Sequence, residues 1–188
     1  EQIVNYVCVF SDITEIKESQ ARLDFLAHHD TLTGLPNRLL FRARLEHSLE
    51  RAGRSKYQIA VMFIDLDHFK DVNDALGHAA GDQLLIDLAG AMTGCLRAED
   101  TLARLGGDEF VVLLEQVSGH DSVDAVLEKF RQVYPWAMGE PSQRIAVTAS
   151  VGVALYPDNA VDADGLLLKA DAAMYRAKEN GRNQACYA

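Results

Sequence analysis

The chain has 188 residues, of which 48% are apolar and 24% charged, with a net charge of -10. That balance suits one globular domain with a short appendage and excludes a disordered chain. No apolar run approaches the roughly 20 residues needed to cross a bilayer. No secretory signal succession is present, so the fragment is expected in the cytoplasm without membrane contact, and nothing follows for a longer parent chain, which could be membrane-anchored.

The acid excess disfavours a nucleic acid polymer as partner. It is compatible with a small polyphosphate held through a divalent metal and a few placed cations. Cys8, Cys95 and Cys186 are too far apart for a zinc site and read as small apolar fillers in a reducing compartment.

Residues 3–10 are β-branched and aromatic and read as a strand. A lone strand is not stable, so residues 1–12 are expected to be the tail of a preceding domain. Thr14 is expected to cap a helix over about 14–29. That helix carries Ile13, Ile16, Leu23, Leu26 and Ala27 in an otherwise polar pattern, as a connector or one side of a coiled coil would. The His28-His29-Asp30 segment reads as linker.

The Gly34-Leu35-Pro36-Asn37 run predicts a sharp turn. A helix over about 37–52 should follow, with Leu39, Leu40, Ala43 and Leu45 inward. Residues 57–65 form an apolar run ending in an acid, as in a central strand buried on both faces. A helix is expected over 77–97, then strands at 101–105 and 110–115 around a tight turn at Gly106–Glu109. A helix at 120–135, a strand at 145–156, an amphipathic helix at 164–179 and a short strand at 184–187 complete the pattern. Helices alternate with strands, yet one strand pair is a hairpin. The expected fold is therefore α/β (α+β), a mixed central sheet with flanking helices.

Asp65 ends its strand, where ligands of α/β sheets gather, and Asp67 follows two residues later. Read alone, Asp65 is as readily a helix N-cap. The Gly106-Gly107 turn lets a ligand approach the backbone and puts Asp108 and Glu109 at its tip. Read alone it is a solvated acidic hairpin. If the two strands are neighbours, Asp65 and Asp108 converge. Two like charges ~4 Å apart cost about 4 kcal/mol at an effective dielectric near 20, so a bridging cation is implied. Hard oxygen donors favour Mg²⁺, which keeps positions open for water and phosphates.

Lys70 can meet a phosphate as a point charge. Asn73 and Asp82 offer edges that match guanine; read singly, Lys70, Asn73 and Asp82 are each ordinary surface polar residues. Lys178 and Arg182, at the end of the last helix, either complement the helix dipole or clamp outer phosphates. There is no P-loop motif and no nucleophile elbow.

An ordered series of motifs runs over about 160 residues: Asp30-x-Leu32-Thr33-Gly34-Leu35-Pro36-Asn37-Arg38, Asp65-Leu66-Asp67-His68-Phe69-Lys70, Asn73-Asp74, Gly77-His78, Gly81-Asp82, Arg104-x-Gly106-Gly107-Asp108-Glu109-Phe110, Ser150-Val151-Gly152, Ala170-Asp171-x-Ala173-Met174-Tyr175-x-Ala177-Lys178 and Gly181-Arg182-Asn183. On these, residues 30–188 resemble the GGDEF, or diguanylate cyclase, domain. The resemblance implies a fold like the palm of class III nucleotidyl cyclases. It also implies condensation of two GTP to cyclic di-GMP with release of pyrophosphate, at a site shared by two facing subunits of a homodimer.

Carried over by position, Asp65, the Leu66 carbonyl and Asp108 would hold Mg²⁺, or Mn²⁺ in its place. Asp108 would be the base for the 3′-hydroxyl, Glu109 would support the site, and Lys70 would stabilise phosphate charge. Asn73 and Asp82 would read guanine, and His78 would line the base pocket. Phe69, Gly107 and Arg104 would also contact substrate. Lys178 and Arg182 would bind the terminal phosphates. Arg97 and Asp100 match an Arg-x-x-Asp inhibitory site at which cyclic di-GMP, the product, would act; read alone, they are a surface ion pair. Residues 1–29 resemble the end of a PAS sensor domain and a signalling helix, and the wording around Tyr175–Asn183 is common where a phosphodiesterase (EAL) domain follows. The competing reading is a catalytically silent module that binds GTP or cyclic di-GMP within a multidomain signalling protein.

Overall fold

The computed structural model describes residues 11–133, 136–138 and 145–188. The strand expected at 3–10, with Cys8, lies outside the described residues, as do the last two residues of the helix expected over 120–135.

Strand β1 (Gln58–Asp67) is the centre of the sheet. Its alternation sends Ala60, Met62, Ile64 and Leu66 to one face and Ile59, Val61 and Phe63 to the other, and all are buried. On the first face they meet α3 (Phe69–Leu76), α4 (His78–Cys95) and α5 (His120–Val133) through Val72, Leu84, Leu88, Met92 and Phe130. On the second they meet α2 (Arg38–Ser55) and α6 (Ala163–Glu179) through Phe41, Leu45, Leu166, Ala170 and Met174. Each such buried Leu, Ile or Phe stabilises the fold by about 1.5–3 kcal/mol.

The hairpin strands β2 (Thr101–Gly106) and β3 (Glu109–Val117) add to one edge of β1, and β5 (Ile145–Tyr156) to the other. The order is β2-β3-β1-β5-β4, with β4 spanning Trp136–Met138. These pairs are antiparallel, and β6 (Ala185–Tyr187) joins β5 in parallel. The sheet is mixed, as expected, and helices cover both its faces.

Several local expectations change. Helix α1 spans Thr14–His28, but its cap position is Ile13, and Asp12 accepts from the Thr14 N–H at 2.9 Å. The acceptor is thus Asp12, two residues before Thr14, and Thr14 is the first helical residue. None of the described α1 residues is buried, and Ile16 and Leu23 stand exposed, in keeping with a connector. Helix α2 turns Phe41, Leu45, Ser48 and Ala52 inward, while Leu39 and Ala43 face solvent. Asn37 caps its start by accepting from the Leu39 and Leu40 N–H groups, and that sets its rotation. Helix α3 and strand β4 were not foreseen.

Helix α6 lies unusually close on β5. A Cβ added at Gly152 would fall on the backbone of Ala170 and Met174, so only glycine fits there. Cys95 and Cys186 are free thiols, both partly buried. No helix among the described residues is long and apolar enough to cross a membrane.

Candidate active site

The pairing of β1 with β3 puts Asp65 opposite Glu109, and the Leu66 N–H reaches the Asp108 carbonyl at 3.4 Å. Strand and hairpin are therefore neighbours, as the sequence argument required. Strand β1 continues two residues past Asp65, so Asp65 is not a helix cap; His68, with φ +63, fills that position before α3.

Gly106 pairs with Glu109, which leaves Gly107-Asp108 as a two-residue turn. Gly107 has φ +52 and nothing within 4 Å of where a Cβ would sit. Glycine is needed there for its backbone, and the space above it stays open to a ligand.

Three acids thus share one rim: Asp65, Asp108 and Glu109. Burial pushes the Asp65 carboxyl above the usual carboxylate range, and the charges on Asp108 and Glu109 push it further. Lys178 pulls it back, with its ammonium 2.8 Å from Asp65. Arg38 approaches Glu109 at 3.9 Å from the start of α2.

The donor set suits a hard divalent cation, and a lysine ammonium already stands against Asp65 as a cation does. Among the described residues no three acidic, His or Cys side chains close into a full metal cage.

The raised Asp65 carboxyl has a consequence for stability. A group protonated more readily in the folded state stabilises it below its ordinary pKa of about 3.9 and loses that contribution as pH rises through its raised value. At pH 7 without metal, ionised Asp65 is therefore a net cost. Asp65→Asn should raise the Tm of the metal-free protein at pH 7, and the gain should shrink as pH falls toward about 4. Each kcal/mol relieved reads as about 2–4 °C for a chain of this size. Melting curves in a chelator across this range check it, and an Asn variant that melts lower at pH 7 contradicts it.

Helices α3 and α4 form the opposite wall. They meet at Gly77, with φ +83, and a Cβ at Gly81 would fall on the Asn73 amide oxygen. Asn73 is thereby held against α4 one residue before the exposed Asp82. Lys70 lies exposed in the first turn of α3, and Phe69 packs beside Gly81. His78 stands exposed at the start of α4. Arg182 is exposed just beyond α6.

Arg104, expected among the substrate contacts, is engaged by the protein itself. Its guanidinium donates to the Gly107 carbonyl at 2.6 and 3.0 Å and to Asp30 at 2.9 Å. It braces the hairpin from beneath. Asp30 is correspondingly more than linker. Burial would push its carboxyl up, but the Thr33 hydroxyl and N–H and the Arg104 guanidinium outweigh burial and hold it below the usual range. Sequence distance hid this pair, since 74 residues separate its partners.

Arg97 and Asp100 close a turn before β2. The Asp100 carboxylate accepts from the Arg97 N–H at 3.0 Å and the Glu115 N–H at 3.1 Å. No ion pair joins the two side chains among the described residues: Asp100 is bonded to backbone N–H groups, and the Arg97 side chain is exposed. A groove of about 440 Å³ beside Asp100 is edged by Arg44, His47 and Arg51.

This mixed α/β domain, with a glycine hairpin presenting acids beside a two-helix wall, is of the nucleotidyl cyclase palm type. The family model "Diguanylate cyclase, GGDEF domain" matches residues 27–184, and the chain belongs to that family. It is 44% identical over 177 residues to the bifunctional diguanylate cyclase/cyclic di-GMP phosphodiesterase MucR of Pseudomonas aeruginosa, covering 93% of this chain and 25% of MucR. It is 43% identical to the diguanylate cyclase TpbB of P. aeruginosa, covering 89% and 39%. It is also 41% identical to the cyclic di-GMP phosphodiesterase PdeR of Escherichia coli, covering 96% and 27%. The chain thus spans about a quarter to two fifths of these relatives.

Among solved structures, the isolated GGDEF domain of TpbB superposes with a TM-score of 0.80 at 41% identity, covering 86% of this chain and 94% of that one. The coiled coil and GGDEF domain of DgcB from Caulobacter crescentus, in complex with c-di-GMP, gives 0.82 at 28% identity, covering 94% and 93%.

Proposed function

We propose that this domain condenses two GTP molecules into cyclic di-GMP and pyrophosphate, each of two facing subunits binding one GTP. The observation that carries the reading is the acid rim of Asp65, Asp108 and Glu109 with a cation-binding edge, set across from the Asn73–Asp82 wall.

In this reading Asn73 and Asp82 recognise the guanine edge, with His78 and Phe69 beside the base. Lys70, Lys178 and Arg182 balance phosphate charge, and Lys178 exchanges its carboxylate partner for phosphate oxygens. Asp65, the Leu66 carbonyl and Asp108 would hold Mg²⁺ or Mn²⁺. When bound there, such a metal would supply charge neutralisation at the phosphates and a lowered pKa for an attacking hydroxyl. Asp108 draws the proton from the 3′-hydroxyl, and Glu109 keeps the rim anionic. Gly107 lets the nucleotide approach the turn, and Arg104 fixes that turn through its carbonyl. The 3′-oxygen of one GTP attacks the α-phosphorus of the other in line, and pyrophosphate leaves. Positioning and charge compensation supply most of the acceleration.

The test is incubation with GTP and Mg²⁺ at several protein concentrations, assayed for cyclic di-GMP. A rate per subunit that rises with concentration supports two half-sites. Absence of product at any concentration overturns the enzymatic reading. A second reading, a silent GTP- or cyclic di-GMP-binding module, draws support from the likeness to PdeR, which is named for phosphodiesterase activity. It predicts saturable GTP binding without product.

We further propose that Arg97 and Asp100 bind the product and inhibit turnover. The free Arg97 guanidinium can fork onto phosphate or guanine, and the Asp100 carboxylate has lone pairs beyond the two backbone bonds. Arg97→Ala should relieve product inhibition while the initial rate holds. Inhibition curves checked at fixed GTP decide it, and unchanged sensitivity refutes the role.

A further inference from the structure

Asp67 shares the α6-facing side of β1 with Asp65 but has a different environment. It is 2% exposed, and both oxygens of its carboxylate are engaged. Oδ1 accepts from the Ser150 hydroxyl at 2.7 Å. Oδ2 accepts from the Thr148 hydroxyl at 2.7 Å and from the Asn183 backbone N–H at 3.0 Å. One buried charge therefore joins three parts of the chain: the acid-bearing end of β1, the facing stretch of β5, and the turn after α6.

That turn is unusual. Gly181, Arg182 and Asn183 have φ of +108, +64 and +49, a run of three in the left-handed region with two non-glycine residues. Side chains with a Cβ resist this conformation, so it persists only where surrounding bonds over-determine it. The Arg182 N–H donates back to the Ala177 carbonyl at 3.0 Å, and the next amide is the one Asp67 receives. Lys178, four residues before Arg182, points its ammonium at Asp65.

We propose that Asp67 is a positioning residue that fastens the Lys178–Arg182 end of α6 to the acid rim, so that the triphosphate rather than the base depends on it. This rests on the GTP reading given above. Asp67 touches neither substrate nor metal in it. Removal of the carboxylate leaves two hydroxyls and one strained amide without their acceptor, and the turn carrying Arg182 relaxes away. The guanine wall on α3 and α4 lies across the sheet and is untouched.

The test compares binding of a non-hydrolysable GTP analogue and of GMP, each with Mg²⁺, by calorimetry on wild type and Asp67→Ala. The analogue should lose about tenfold or more in affinity, as expected for a misplaced charged contact, while GMP stays within about twofold. Equal losses for both ligands, or no loss for either, overturn the proposal. Should Asp67→Ala not fold, Asp67→Asn serves. Its amide oxygen still accepts from Asn183, and the preference for the analogue over GMP should fall by about threefold to fivefold, the difference between charged and neutral hydrogen bonds. An unchanged preference in a folded Asn variant overturns it equally. Failure of wild type to bind the analogue at all would instead remove the GTP reading on which the proposal stands.

Discussion

Asp108→Ala is expected to abolish cyclic di-GMP formation while the protein melts close to the wild-type temperature. Asp108 sits at the turn of a hairpin, half-exposed, with its own carboxylate bonded to nothing in the core. The hairpin is held by other means: the β2–β3 register, and the Arg104 guanidinium on the Gly107 carbonyl and Asp30. Loss of the side chain also relieves repulsion on Asp65, which favours the fold slightly. In the proposed mechanism the same carboxylate both draws the hydroxyl proton and completes the metal edge. Loss of one such transition-state contact costs about 3 kcal/mol, roughly a hundredfold in rate, and here two are lost together. Product assays with melting curves on the same preparation check this. Product formation by a folded Asp108→Ala variant would sink the assignment.

Gly152→Ala should do the reverse, by attacking the fold first. The methyl would land on the backbone of Ala170 and Met174, which cannot rotate out of the way as a side chain can. Overpacking of this kind costs about 1–3 kcal/mol and sometimes more. Either α6 lifts from β5 or the helix shifts along it. Both outcomes move Lys178 relative to Asp65, so nucleotide affinity should fall along with the Tm. Denaturant melts and nucleotide binding on one sample check it. A variant with wild-type stability would mean that the helix–strand contact is looser than described.

Much of this arrangement was legible in the sequence because it follows local rules. The apolar run before Asp65 could only be a strand covered on both faces, and the two glycines before Asp108 could only be a hairpin turn. From those two elements the acid rim follows as soon as they pair. What stayed hidden depends on distant partners or on marginal elements. Helix α3 has eight residues, about two turns, too short for its apolar period to repeat along the sequence. The inward face of α2 was misjudged because one cap, Asn37, decides the helix's rotation. The bracing role of Arg104 was hidden because nothing near it in sequence shows Asp30. Asp65 and Asp67 are indistinguishable by alternation, since both fall on one side of β1. Only the turn after α6, more than a hundred residues later, covers one and leaves the other at the rim.

If the proposed GTP reading holds, the two faces of β1 set how the site would discriminate among guanine compounds. Asn73 and Asp82 belong to the helix layer on one side of the sheet, and Lys178 and Arg182 to the layer on the other. In the proposed complex a bound GTP therefore arches over the sheet's rim and is gauged against the full thickness of the domain. A nucleoside or monophosphate reaches one layer only, and a triphosphate with another base grips only the opposite one. Any change in core volume that alters the spacing of the layers becomes a change in substrate fit, even where no side chain of the site is altered.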